Sequence, residues 1–189
     1  LARTIEALAS DLSIGVMEAD IDSDVDARAM AATGVMAIQL HTGGMCHLDA
    51  AMCRQGLAEL EAAAEAAGTA PLDLAILENV GNLVCPAEFD TGASVNVAIL
   101  SVPEGDDKPL KYPLMFEVCD VVLVNKMDVA PYFDFDLARC EENVRLRNPG
   151  AEVIPMSAKT GEGTDAWAAW LRAAVAAWKT GTFEKATPA

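Results

Sequence analysis

The segment from Leu72 to Pro86, LDLAILENVGNLVCP, constrains the fold more than any other stretch of the chain. From Leu72 to Leu77 it is apolar except for Asp73, an unbroken run rather than an alternating one, which reads as a central strand covered by helices on both faces. Glu78 then stands at the strand's carboxyl end, where open α/β sheets place their ligands. Gly81 lets a backbone N–H approach a phosphate with no Cβ in the way, and lets the loop flip when the phosphate leaves. This is the grammar of a nucleotide switch, and it ends on Cys85, a metal-ligating residue type.

Strands and helices alternate on both sides of this segment. Leu1 to Ala9 reads as a helix with no N-cap, Ser13 to Ala19 as a strand, Asp26 to Thr33 as a brief helix stopped by Gly34, and Val35 to Leu40 as a second strand. Between them Asp20, Asp22 and Asp24 form an acidic loop, either simply solvated or lending one carboxylate to magnesium or a switch. Leu48 to Ala67 is a long alanine-rich helix. Strands are expected again at Val95 to Val102, Asp120 to Val124 and Val153 to Pro155, with helices around Leu110 to Val118, from a cap at Asp134 towards Asn148, and from a cap at Thr164. In the last of these Trp167, Trp170, Leu171, Val175 and Trp178 share one face, so the tryptophans are expected in the core. The pattern predicts an α/β fold with a doubly wound, mostly parallel sheet, in one domain over residues 1–180 with a polar tail at 181–189.

Asn125-Lys126-Met127-Asp128 directly follows the apolar strand. An aspartate there can accept two hydrogen bonds from guanine, which adenine cannot offer in that arrangement. The next strand ends in Ser157-Ala158-Lys159, and NKxD followed by SAK one strand later, with ExxG upstream, resembles a GTPase. A kinase or ATPase of similar topology is disfavoured by the guanine-reading motif. No GxxxxGK[ST] phosphate loop occurs in the 189 residues, so the expectation is of a chain cut within or before its first helix, lacking that loop and the strand leading into it, and binding GTP poorly. The 13 basic against 29 acidic residues leave a net charge of −16, which disfavours nucleic acid and anionic membranes as partners. No run of 18 or more apolar residues and no signal peptide is present, and five irregularly spaced cysteines form no disulfide framework, so a reduced cytoplasmic protein is expected.

Cys46, His47 and Cys85 each follow a predicted strand, so their loops can meet at one sheet edge, and two thiolates with an imidazole suit zinc or nickel. The alternative is two small buried hydrophobes and a helix-start histidine. Cys53, Cys119 and Cys140 fall in helical patterns and are expected to be buried and inert.

The runs His41-Thr-Gly-Gly-Met-Cys-His-Leu-Asp-Ala50, Glu78-Asn-Val-Gly-Asn-Leu-Val-Cys-Pro86 and Glu104-Gly-Asp-Asp-Lys-Pro-Leu-Lys-Tyr-Pro113 together resemble the hydrogenase nickel-incorporation GTPase family, HypB, over nearly the whole chain. The resemblance implies a P-loop NTPase of the SIMIBI type and a cytoplasmic GTP-hydrolysing metallochaperone. Such a protein uses GTP/GDP, Mg²⁺ and Ni²⁺ or Zn²⁺, forms a homodimer promoted by nucleotide and metal, and works with hydrogenase maturation proteins and the hydrogenase large subunit. It places metal ligands on Cys46, His47 and Cys85, a switch carboxylate on Asp20, catalytic switch positions on Glu78 and Gly81, and base reading on Asn125, Lys126 and Asp128, with Ser157, Ala158 and Lys159 in the paired loop. Ala19 departs from the glycine usual at its position. The competing function is a nucleotide-independent nickel- or zinc-binding dimerisation module.

Overall fold

A computed structural model describes residues 1–20, 34–42, 44–69 and 71–185, and these form two compact units with a boundary between Gly92 and Ala93. The helix expected at Asp26 to Thr33, and Asp22 and Asp24, lie outside the described residues.

In the first unit, helix α1 (Ala2–Leu8) precedes strand β1 (Ile14–Asp20), followed by β2 (Met36–His41), helix α2 (Ala50–Ala67), β3 (Leu74–Glu78) and the one-turn helix α3 (Cys85–Glu88). The strands are parallel in the order β2-β1-β3. Within the unit β1 is therefore the middle strand, and β3, expected to be central, lies at an edge with Ala75 and Glu78 exposed. Asp73, the one polar residue in that apolar run, accepts a hydrogen bond from the Ser13 N–H at 2.8 Å and so pins the start of β3 to the start of β1. The core gathers Met17, Ala19, Leu40, Leu48, Cys53 and Leu60. Helix α2 begins at Asp49, whose carboxylate accepts from the Ala51 and Met52 amides, and ends at Gly68 in the left-handed conformation. At Gly56 the helix lies so close to β2 that an added Cβ would sit 2.5 Å from Leu40 Cδ2.

The second unit contains β4 (Val97–Ser101), a 3₁₀ turn at Val102–Glu104, helices α4 (Lys108–Lys111) and α5 (Pro113–Val118), β5 (Val121–Asn125), a second 3₁₀ segment at Met127–Tyr132, α6 (Leu137–Arg145), β6 (Glu152–Pro155) and α7 (Thr164–Thr180). Its strands are also parallel, in the order β4-β5-β6. Four consecutive residues of β5, Val121 to Val124, are buried, as a strand covered on both faces requires. Leu100, Val102, Phe116, Cys119, Cys140 and Val144 form the core on one side.

Four sequence expectations shift here. The helix expected from Leu110 to Val118 breaks at Tyr112, because a residue before proline is driven out of the helical region by the Pro113 ring. The cap of α6 is Asp136, not Asp134, with its carboxylate taking the Ala138 and Arg139 amides. Thr164 does not cap α7; the capping position is Gly163, left-handed at φ 73°, and Thr164 is already helical. Trp167 is buried and Trp170 half-buried, but Trp178, in the last turn, is 62% exposed and meets only the edge of Phe183 among ring contacts. No helix among the described residues is long and apolar enough to cross a membrane.

Candidate nucleotide and metal sites

Because every strand within a unit runs the same way, each unit gathers its strand-end loops at one sheet edge. In the second unit, β5 delivers Asn125 to Asp128 and β6 delivers Ser157 to Lys159. The Asn125 side-chain oxygen accepts from the Lys126 N–H at 2.8 Å and from the Ala158 N–H at 3.0 Å. Ser157, fully buried, donates its hydroxyl to Asp128 Oδ1 at 2.6 Å, and the Met127 N–H reaches the Met156 carbonyl at 3.1 Å. Lys126 is the one non-glycine residue at positive φ among the described residues, at 64°, a turn that lifts the chain off the strand. The two motifs are thus one stitched structure in which Ser157 aims the Asp128 carboxylate, while Lys126, Ala158 and Lys159 are exposed.

In the first unit the edge holds the ends of β1, β2 and β3. Asp20 closes β1 in register with His41; its side chain lies outside the described part of the chain. Glu78 closes β3, exposed, in register with Glu18 of β1. Glu18 is only 3% exposed, a buried carboxylate that sequence reasoning missed although a charge inside an apolar strand was its signal. Gly81 is exposed, has no positive φ, and would meet nothing within 4 Å if it carried a Cβ, so the fold itself does not require glycine there.

The loops after β2 and β3 bring Cys46 Sγ and Cys85 Sγ to 2.9 Å. Cys46 is exposed and Cys85 half-buried. The hydrogen bond with Cys46, then partial burial, then the nearby Cys46 and Glu88 charges hold the Cys85 thiol above the ordinary range. His47 joins them less closely: Nδ1 lies 3.9 Å from Cys46 Sγ, and its ring stacks on Phe89 at 3.6 Å between centroids and 10° between planes. Among the described residues no group of three or more His, Cys, Asp or Glu side chains is assembled to hold a metal, so one chain offers a soft two-sulfur half-site with an imidazole beside it. Asn82, which the sequence reading passed over, joins the two loops. Its Oδ1 accepts from the Val84 and Cys85 amides at 3.0 and 2.9 Å, and its Nδ2 donates to the Cys46 carbonyl at 3.0 Å. An asparagine two and three residues before amides it can cap was the available signal. By contrast Cys53, Cys119 and Cys140 are buried as expected, and burial pushes the last two thiols up to about 12.

Residues 1–155 match the family described as CobW/HypB/UreG, nucleotide-binding domain. The hydrogenase maturation factor HypB of Azotobacter vinelandii is 50% identical over 171 residues, which cover 90% of this chain and 54% of that protein. The chain thus spans about half the length of the curated relatives it matches. Among solved structures, HypB from Helicobacter pylori in complex with nickel superposes with a TM-score of 0.84 at 36% identity, over 92% of this chain and 80% of that one. HypB from Archaeoglobus fulgidus gives 0.80 at 36% identity, over 92% and 81%.

Proposed function

The chain belongs to the HypB branch of the CobW/HypB/UreG nucleotide-binding family, whose fold is that of a P-loop NTPase, and on that premise we propose that it serves as a GTP-hydrolysing nickel chaperone in the maturation of nickel–iron hydrogenase. The observation that carries this reading is that the segment from Glu78 to Cys85 brings its last residue against Cys46 of the neighbouring loop. Glu78 and Gly81, the switch positions, run without a break into Cys85, whose sulfur lies 2.9 Å from that of Cys46. A loop that answers to the nucleotide's terminal phosphate is then the same loop that offers a metal ligand.

Base reading rests with Asp128, aimed by Ser157, and with Asn125 holding the Ala158 amide. The switch role rests with Glu78, Gly81 and Asp20, the last as the carboxylate that positions the attacking water. The carboxylates of Asp20 and Glu78 are hard oxygen donors that suit Mg²⁺, which when bound would neutralise charge developing on the transferred phosphoryl group. The free-energy difference between GTP and GDP forms gates release of the metal cargo, nickel in preference to zinc. Two sulfurs per chain leave a four-coordinate metal short of ligands, so His47 and a second copy complete the site, and the working form is a homodimer acting in the cytoplasm with hydrogenase maturation proteins and the hydrogenase large subunit. No GxxxxGK[ST] run occurs in these 189 residues, and by themselves they turn GTP over near background, since even one lost phosphate-stabilising donor costs on the order of 10²–10³ in rate.

Calorimetry of one preparation with GTP and with Ni²⁺ tests the reading. Nickel binding that disappears in a Cys46→Ser/Cys85→Ser double variant is the expected result. Tight nickel binding in that variant overturns the metal reading, and GTP turnover at ordinary GTPase rates by these 189 residues overturns the expectation of background turnover.

A further inference from the structure

The two sulfurs belong to segments 39 residues apart in the chain, so their separation is a relation between two loops, fixed by whatever crosses from one to the other. Two contacts cross. The His47 ring lies against Phe89, a contact between planes that can slide. The other is directional: Asn82 takes the Cys85 amide with its oxygen and gives its N–H to the Cys46 carbonyl, touching the backbone of both cysteines with opposite ends of one planar group. Asn82 also follows Gly81 by a single peptide bond, so any displacement of Gly81 is passed to the residue that ties the cysteines together.

We propose that Asn82 is the positioning residue of the metal site, setting the Cys46–Cys85 sulfur separation and carrying the movement of Gly81 to both ligands. This deepens the reading that the two thiols take nickel, and rests on it. The role requires an amide. Aspartate has the same shape and keeps the bonds accepted from Val84 and Cys85, but it turns an acceptor onto the Cys46 carbonyl where the amide donated. A residue that merely capped the turn would tolerate that exchange.

The test uses two readouts on the reduced, metal-free chain. Oxidised glutathione converts two neighbouring thiols to a disulfide, releasing two molecules of glutathione, and the rate at which Cys46 and Cys85 lose two hydrogens by mass spectrometry reports their proximity without any metal. Titration with Ni²⁺ alone, followed by thiolate-to-nickel charge-transfer absorption, reports the site. Asn82→Asp and Asn82→Ala are each expected to slow disulfide formation at least about tenfold and to weaken nickel binding about 10–100-fold, as loss of an outer-sphere partner does. Asn79→Ala, which loosens the same loop by removing only the bond to the Val80 amide, is expected to change neither. Nickel binding that needs both thiols yet is unchanged in Asn82→Asp overturns the role of Asn82 alone, as does an equal slowing in Asn79→Ala. Nickel binding indifferent to Cys46→Ser and Cys85→Ser overturns the metal reading beneath it.

Discussion

At the scale of single residues, function turns on which side-chain atoms are already spoken for. Asp128 shares Oδ1 with the Ser157 hydroxyl at 2.6 Å, which fixes the orientation of the carboxylate proposed to read the base. Asp128→Asn is expected to shift preference from guanine to xanthine nucleotide, since the new amide donates where the carboxylate accepted; unchanged guanine preference in competition binding would remove Asp128 from the base site. A structural counterpart lies at Asp106, 5% exposed, which receives Arg139 Nε at 2.9 Å, Arg139 Nη2 and the Asp136 amide at 2.8 Å. The Arg139 guanidinium holds this carboxyl below the usual carboxylate range. Its contribution to stability is therefore complete above the unfolded aspartate value and is lost as pH falls through and below it. Arg139→Ala, which takes both guanidinium donors from a buried carboxylate, is expected to lower stability in urea unfolding at neutral pH, and to lower it less at pH values where Asp106 is protonated. A loss that does not shrink in acid would deny the pair this role.

At the scale of elements, the two units repeat one device. Asp73 stands just before β3 and takes the amide of Ser13, just before β1; Asp120 stands just before β5 and takes the amide of Asn96, just before β4, in each case at 2.8 Å. A carboxylate at the amino end of one parallel strand thus sets the register of its neighbour. Strand and loop placement was legible in sequence because apolar runs of four to six residues ending in polar loops leave few alternatives, and NKMD and SAK were found where their strands ended. Helix boundaries were less legible. Asp134 and Asp136 are equally good caps by residue type, and only the Asp106–Arg139 contact, which also engages the Asp136 amide, selects the second. Trp178 kept the helical spacing of its buried neighbours, but spacing does not say where a helix outruns the core beneath it. Gly163 likewise was overlooked in favour of Thr164. Its left-handed φ of 73° and the Pro155 carbonyl and Met156 Cα that an added Cβ would overlap leave no room for a side chain. Gly163→Ala is expected to destabilise the second unit by more than about 1 kcal/mol in thermal or urea unfolding, whereas Gly181→Ala, left-handed but facing open space, should cost less. Equal costs would mean that the backbone relaxes around Gly163.

At the scale of the whole molecule, the half-site proposed at Cys46 and Cys85 would make metal binding a matter of stoichiometry. If a second copy supplies the missing ligands, nickel shifts the monomer–dimer equilibrium, and nickel and nucleotide strengthen each other's binding by the same factor. Sedimentation with and without Ni²⁺ checks this, and a monomer at saturating metal would refute it. Cys85→Ser is expected to weaken nickel binding far more than Cys140→Ser, whose thiol is buried and protonated to about pH 12. Since the Cys85 thiol sits above its ordinary value and must lose its proton to ligate, affinity should rise with pH into the alkaline range and fall as pH drops. The cysteine pair was legible as residue types after predicted strands; that it is two sulfurs clamped by Asn82, with His47 turned to Phe89, depends on loop geometry that no spacing rule encodes.

The tight seat of Gly56 under Leu40 bears on how this lineage can drift. Mid-helix glycine forgoes about 1 kcal/mol relative to alanine, so mutation pressure towards alanine would be steady at an unconstrained position. Here an added methyl group must displace the tip of the Leu40 side chain or be met by a smaller residue at position 40, so the two sites are coupled. Both lie close in sequence to the loop that carries Cys46. In a set of diverged homologues they would form an invariant or covarying pair that looks like part of the chemistry, and its cause would be the distance between a helix and a strand.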